Sequence, residues 1–136
     1  MGMTNERMTS GECTEPAVQR AYDLEERTAV FGEAVIDFAL AIQRNAIVAP
    51  IVTQLIKSAT SIGANYCEAD DAESKKDFRH KIGICRKEAC ETKYWFRMVA
   101  RAAPDAKISA RPLWKEVNEL HLILSKIRRS CDKEKL

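Results

Sequence analysis

Apolar positions recur at alternating steps of three and four residues along most of the chain, which is the period of amphipathic helices. The rhythm is most regular around residues 58–97, where two such segments meet across a polar break at 71–73. One segment carries its apolar row over 52–69 and the other over 78–99. Because three residues leave room only for an antiparallel return, the pattern predicts a helical hairpin.

The ends of the predicted helices are marked by residues that suit helix termini. Asp23, with two glutamates after it, suits the positive end of a helix dipole, and Ser74 followed by Asp77 fits a capping box. Pro50 and Pro112 each fit the first position of a helix, where a missing N–H is no loss. These signals and the apolar rows predict a loop over 106–111 and helices at about 24–44, 50–70, 74–102 and 112–131.

The predicted elements define a fold class. Four amphipathic helices with short connections, and no strand-like alternation bounded by turn residues, are typical of an all-α, antiparallel up-down-up-down four-helix bundle. The chain has 136 residues, which is enough for one domain with a sizeable core and not for two. We assign the bundle to 21–131. We expect residues 1–20 to be a disordered N-terminal segment and residues 132–136 to be a frayed tail.

The apolar content exceeds what the core of one small bundle needs. Beyond the main rows, the helices carry further large apolar side chains, namely Ile36, Leu40, Trp95, Met98 and Trp114. A surplus of this kind is typical of surfaces that pack between subunits. The sequence therefore predicts a homo-oligomer.

Cysteine usage and hydropathy bear on the cellular compartment. The chain has 5 cysteines, an odd number, with no Cys-x-x-Cys pair and no secretory signal, and this favours reduced thiols in the cytoplasm. We expect Cys85, which stands in an apolar row, to be packed as a small hydrophobe. No apolar run approaches the roughly 18 residues of a membrane span. We therefore predict a cytoplasmic protein with no membrane partner.

Sequence motifs for catalysis are few. A di-metal carboxylate bundle needs Glu-x-x-His pairs, and neither His80 nor His121 has a glutamate three residues before it. The chain has no G-x-S-x-G, P-loop or G-x-G-x-x-G motif. Cysteines at helical spacing, such as Cys67 and Cys90, are more often inert packing than nucleophiles. We therefore predict no enzymatic activity, no metal and no cofactor.

Four polar residues stand beside the apolar rows of the hairpin and form a candidate polar cluster: Asn65, Glu68, Glu88 and Glu91. Asn65 and Glu68 are three residues apart, so we expect a hydrogen bond between them. A structural role, in which polar groups fix helix pairing, competes with a catalytic role, which requires a raised pKa in a cleft. We prefer the structural role because no nucleophile or cofactor motif accompanies the cluster.

Charge is distributed unevenly along the chain. The net charge is only +2, but residues 1–74 hold 5 Lys or Arg against 12 Asp or Glu, giving −7, and residues 75–136 hold 17 against 8, giving +9. A basic row on the third helix is the candidate nucleic-acid surface: Lys76, Arg79, Arg86, Lys93, Arg97 and Arg101. Arg128 and Arg129 add to it if the fourth helix lies alongside. Contacts of such a row to phosphates are salt-dependent and largely independent of base sequence.

Four segments resemble the family of four-helix-bundle proteins encoded in 23S rRNA intervening sequences: YDLEERT at 22–28, SATSIGANYCEA at 58–69, ESKKDF at 73–78 and ETKYW at 91–95. The resemblance spans residues 22–130. That family is similar to the accessory variability proteins of diversity-generating retroelements, which are basic homopentameric bundles that bind a reverse transcriptase and RNA. The resemblance implies a ring of five subunits and an RNA or ribonucleoprotein partner, and it supplies no catalytic residue.

The leading prediction is a cytoplasmic, non-enzymatic, homo-oligomeric four-helix bundle that binds RNA or a ribonucleoprotein partner through the basic face of its third helix. An alternative is a protein-binding scaffold whose charged faces serve only self-assembly, with no nucleic-acid ligand. The chain carries no RRM or KH motif that decides between the two. A third hypothesis is an enzyme or metalloprotein centred on Glu68, Glu88 and Glu91.

Overall fold

The computed structural model describes residues 23–134, and all regular structure in that range is helical. Helix α1 spans Leu24–Leu40, α2 spans Val48–Asp70, α3 spans Lys75–Ala102 and α4 spans Lys107–Glu134, with a 3₁₀ turn at Pro104–Ala106 before α4. Each helix packs against the next one in the chain, and α4 returns to contact α1. The predicted all-α, up-down-up-down four-helix bundle is confirmed.

Two helices begin at the residues that the sequence marks as caps. The hydroxyl of Ser74 accepts a hydrogen bond from the N–H of Asp77 at 3.0 Å, at the start of α3. A carboxylate oxygen of Asp23 accepts one from the N–H of Glu26 at 3.4 Å, at the start of α1. Each cap gives a partner to an N–H group that has none within the helix.

The connection between α1 and α2 lies a few residues earlier than predicted. Helix α1 ends at Leu40 instead of residue 44, and α2 begins at Val48 instead of Pro50. The side-chain oxygen of Asn45 accepts hydrogen bonds from the N–H groups of residues 47 and 48, at 2.9 and 2.8 Å. This oxygen caps the first turn, and α2 therefore begins before Pro50. Pro50 is the third residue of α2, a position where an N–H has no carbonyl partner within the helix, so the missing N–H costs nothing.

The predicted loop over 106–111 is wrong, because α4 already begins at Lys107 and contains Pro112. A proline inside a helix removes one backbone hydrogen bond and crowds the carbonyl four residues earlier. The additional helical turn buries Ala110, which is only 5% exposed and extends the apolar row of α4 toward its N-terminus.

The C-terminal part of the chain is helical further than predicted. Helix α4 runs to Glu134, so residues 132–134 belong to the helix and not to a frayed tail. The last two residues, and the segment 1–20 that we predict to be disordered, lie outside the described residues.

The predicted apolar rows form the core of the bundle. Most of their members are less than 10% exposed, and only side chains near the row ends, such as Phe78 and Leu113, are half-buried. Phe38 of α1 and Phe96 of α3 meet edge to face inside the bundle, with ring centroids 5.8 Å apart and planes at 63°. The core therefore joins helices that are not neighbours in the chain.

Small side chains set the distance between α2 and its two neighbours. The hydroxyl oxygens of Ser58 in α2 and Thr92 in α3 lie 2.9 Å apart in a buried position. On the other side of α2, a Cβ added to Gly63 would lie 3.3 Å from Thr28 Oγ1 of α1. This close approach of α1 explains a glycine in the middle of a helix, where it is otherwise unfavourable.

The contact between α1 and α4 is the smallest of the four helix–helix contacts, and it centres on an arginine. Arg27 Nε and Nη2 donate to the two carboxylate oxygens of Glu116 at 2.8 and 2.9 Å, and Nη2 also lies 3.0 Å from Glu119 Oε1. The hydrogen bond to Glu116 is the main cause that raises the pKa of Arg27 above its ordinary value. The guanidinium therefore stays charged and holds α1 against α4.

Candidate nucleic-acid interface

The basic row of α3 divides into an exposed part and a part that faces α4. Lys76, Arg97 and Arg101 are exposed, whereas Arg79, Arg86 and Lys93 are half-buried. Of the half-buried side chains, Arg79 and Lys93 donate hydrogen bonds to α4. We use the term α3/α4 groove for the seam along which these two helices meet at Gly83, Arg86, Lys93, Asn118, His121 and Arg128.

Arg79 is balanced by an acid of α4. Its Nε donates to Asp132 Oδ1 at 2.6 Å, and both side chains remain partly open to solvent. An ion pair of this kind adds little to stability, but it cancels positive charge that a polyanion would otherwise meet. Arg79 is therefore the member of the predicted row least suited to hold a phosphate.

Lys93 is bound by neutral groups instead of acids. Its Nζ donates to Asn118 Oδ1 at 3.1 Å and lies 3.3 Å from His121 Nδ1. Burial, followed by the charges of Lys93 and Arg86, lowers the pKa of His121 below its ordinary value. The imidazole is therefore neutral at pH 7 and accepts from the ammonium through Nδ1, with its own proton on Nε2. No acid of the described residues pairs with Lys93.

A glycine of α3 makes room for an arginine of α4. The guanidinium of Arg128 packs against Gly83 so closely that a Cβ there would collide with Nη1. Arg128 Nε is buried and has no hydrogen-bond partner within residues 23–134. The charge of Arg128 is visible in the sequence. The role of Gly83 cannot be seen in the sequence, because the side chain that packs against it lies on another helix.

The members of the predicted polar cluster have separate partners. Asn65 Nδ2 donates to the carbonyl of Ser61 in its own helix at 2.9 Å. Glu68 pairs with Lys81 of α3 at 2.6 Å across the hairpin. The predicted hydrogen bond between Asn65 and Glu68 is therefore wrong, because each side chain has a nearer partner.

The other two carboxylates of the cluster lie together on α3. Glu88 is half-buried, and burial, followed by the charge of Glu91, raises its pKa. Glu91 is exposed and accepts a hydrogen bond from Trp95 Nε1 at 3.4 Å. Two clefts in the described part of the chain, at about 800 and 940 Å³, are lined by other residues. The raised pKa of Glu88 therefore reflects its burial and its neighbour Glu91, and not a place in either of these clefts.

The four cysteines of the described residues are free thiols. Cys85 is fully buried, its thiol donates to the carbonyl of Ile62 at 3.5 Å, and burial raises its pKa to about 12. It is packed as a small hydrophobe, as predicted. Within residues 23–134, no group of three or more His, Cys, Asp or Glu is arranged to hold a metal ion. No helix in this range has the length and apolar character needed to cross a membrane.

Comparison with known proteins identifies the family of this chain. The model of the family described as 23S rRNA-intervening sequence protein matches residues 21–126. The chain belongs to this family. The predicted resemblance is thus confirmed over almost the whole bundle.

A solved structure supports the same relationship. The chain is similar to the crystal structure of a protein with unknown function from the S23 ribosomal protein family of Bacteroides thetaiotaomicron, with a TM-score of 0.68 and 28% sequence identity. The similarity covers 77% of this chain and 97% of that chain. No curated protein sequence matches the chain.

This member of the 23S rRNA-intervening sequence protein family has two outer faces of opposite charge. The acidic face lies on α1 and combines exposed carboxylates with exposed apolar side chains: Glu26, Glu33, Ile36, Asp37 and Leu40. The basic face lies on α4 and combines exposed cations with exposed apolar side chains: Ile108, Arg111, Lys115, Leu122, Lys126 and Arg129. Leu40 is 76% exposed and Ile108 is 77% exposed. Of the surplus apolar residues, Trp95 and Met98 are half-buried, and Trp114 is 41% exposed.

Proposed function

We propose that this protein is a non-enzymatic, homo-oligomeric four-helix bundle that binds RNA or a ribonucleoprotein partner through the basic side of α3. One observation carries the proposal. Five side chains of the basic row have no ion pair within residues 23–134: Lys76, Arg86, Lys93, Arg97 and Arg101. A row of uncompensated cations along one helix suits a phosphate backbone, because each neutralised phosphate releases a condensed counterion.

A titration of labelled single-stranded RNA at about 50 and 200 mM salt tests the RNA proposal. Combined substitution of the exposed cations, Lys76→Gln, Arg97→Gln and Arg101→Gln, is expected to weaken binding about tenfold or more at low salt. The slope of log affinity against log salt is expected to fall by about 2, since each contact to a single strand contributes about 0.7. Fluorescence anisotropy measures both quantities.

The matched control removes three exposed cations that lie elsewhere: Lys57→Gln, Lys107→Gln and Lys133→Gln. This variant has the same net charge as the α3 variant, so it is expected to keep most of the affinity. Equal loss in both variants would show that net charge alone attracts the RNA. No binding by the wild-type protein at low salt would exclude an RNA ligand and favour the scaffold alternative.

The opposite outer faces support the proposed self-assembly. The acidic face of α1 and the basic face of α4 both turn to solvent, so they cannot pair with each other within one protomer. They are complementary between copies, and a contact between two different faces generates a ring when the rotation closes. The exposed apolar side chains of both faces supply area that association would bury. The family resemblance implies five subunits in such a ring.

Light scattering tests the assembly. The wild-type protein is expected at about five times the protomer mass of 15.4 kDa, and Glu33→Lys with Asp37→Lys is expected to lower the mass because the paired faces then repel. Adding Lys115→Glu and Lys126→Glu to that variant is expected to restore the oligomer. Asp70→Lys with Asp71→Lys, at the α2–α3 turn, is the control. A monomeric wild-type protein, or a charge swap that restores nothing, would contradict the proposed contact.

A further inference from the structure

The α3/α4 groove holds positive charge that no acid in the described residues balances. Within residues 23–134, the polar contacts of Lys93 are to the neutral Asn118 and His121, and Arg86 and Arg128 have no ion pair in this range. Arg86 stands about two turns before Lys93 on the same side of α3 and is likewise half-buried, and both charges act on the His121 ring. Like charges close together on a half-buried surface repel one another, and an anion bound among them relieves the repulsion.

Arg128, at the other end of the groove, also has no ion pair within residues 23–134. Arg128 Nε is buried without a hydrogen-bond partner within residues 23–134, although a buried polar atom normally has one. Its guanidinium occupies the space that Gly83 leaves by lacking a side chain. Gly83 and Lys93 are separated by about 15 Å along α3. The cations are therefore distributed along the groove and do not form a single pocket.

We propose that the phosphate backbone of single-stranded RNA runs along the α3/α4 groove, held by Arg86 and Lys93 of α3 and by Arg128 of α4. The inference rests on the proposed function and deepens it, because it assigns the contacts to two helices instead of the exposed side of α3 alone. Guanidinium groups bind phosphate oxygens through paired N–H donors, and an ammonium adds a point charge. A strand laid here meets three uncompensated cations and avoids Arg79, which Asp132 already neutralises.

Inorganic phosphate is the first probe, and the pKa of His121 is the quantity that reports whether phosphate binds. The chain has only 2 histidines, so the ring resonances of His121 can be assigned by NMR, with the exposed His80 as the reference within the same sample. Phosphate bound beside Lys93 is expected to raise the pKa of His121, because a nearby anion stabilises the imidazolium. A His121 titration curve that phosphate leaves unchanged overturns the inference.

RNA is the second probe. The groove variant Arg86→Gln, Lys93→Gln, Arg128→Gln is expected to lose at least about tenfold in affinity for single-stranded RNA, more than the exposed α3 variant of the same charge. Gly83→Ala changes no charge, but its Cβ displaces the guanidinium of Arg128, and it is expected to weaken binding at least about threefold. Thermal unfolding shows that each variant is folded. Gly83→Ala is expected to stay folded, because alanine suits a helix interior better than glycine.

The outcomes separate this inference from the proposed function. RNA binding that is lost in the exposed α3 variant but kept in the groove variant overturns the groove and leaves the proposed function intact. No RNA binding by the wild-type protein overturns the proposed function, and the assignment to RNA fails with it. In that case a phosphate-dependent rise of the His121 pKa still identifies the groove as an anion site. Loss in the groove variant and in Gly83→Ala, with the net-charge control unaffected, supports the groove.

Discussion

Replacing Phe96 by alanine is expected to lower the free energy of unfolding by about 3–5 kcal/mol. The ring is 2% exposed and packs edge to face against Phe38, so the substitution removes a large buried apolar area and leaves a cavity. The cavity lies where α1 and α3 meet inside the bundle. Urea denaturation at one protein concentration measures the effect.

Tyr94→Ala is the matched control for Phe96→Ala. Tyr94 lies on the same helix two residues earlier and is 54% exposed, so its truncation is expected to change the free energy of unfolding by about 0.5 kcal/mol or less. Similar losses in the two variants would contradict the described core. They would mean that aromatic content, and not burial of Phe96 against Phe38, stabilises α3.

Arg27→Met is expected to destabilise the bundle by about 1–2 kcal/mol, the next largest effect that we predict. The guanidinium donates to both oxygens of Glu116 and lies 3.0 Å from Glu119, in the smallest of the helix contacts. Methionine keeps the apolar stem but removes the charge, so two carboxylates lose their partner. Solvent reaches Glu119, which is 63% exposed, and this limits the cost.

A double-mutant cycle isolates the contact of Arg27. The variants Arg27→Met, Glu116→Gln and their combination are expected to show a coupling energy of about 1 kcal/mol. Lys81→Met, which breaks the exposed pair with Glu68, is the control and is expected to leave the unfolding midpoint unchanged. A coupling energy near zero would show that α1 is held against α4 by apolar packing alone.

The fate of the basic row shows how far a helical pattern leads toward a site. Spacing placed Lys93 and Arg79 in one row of α3, and both are partly covered by α4. Their charges nevertheless differ, because Asp132 balances Arg79 whereas Lys93 meets only neutral groups. Periodicity along one helix carries no information on which residue of the neighbouring helix contacts each of its positions. The candidate site was therefore predictable as a surface, and not as a set of contacts.

Local competition explains the predictions that were wrong. Asn65 and Glu68 have the spacing of an interacting pair, but the carbonyl of Ser61 and the ammonium of Lys81 are the partners that they bind. Pro112 is a typical first residue of a helix, yet α4 begins five residues earlier. The partner of Asn65 lies four residues earlier in its own helix, whereas the partner of Glu68 lies on the neighbouring helix.

The sequence by itself determined that four helices form and which stripe of each is buried, because the apolar period depends only on spacing along one chain segment. It also determined the cap at Ser74, since the hydroxyl reaches an N–H three residues away. Only the tertiary structure decided that Arg128 lies against Gly83, that Lys93 meets His121 and that Arg79 is neutralised. Those contacts depend on the rotation and register of α4 against α3, which are set by the packing of the whole core and by no local pattern.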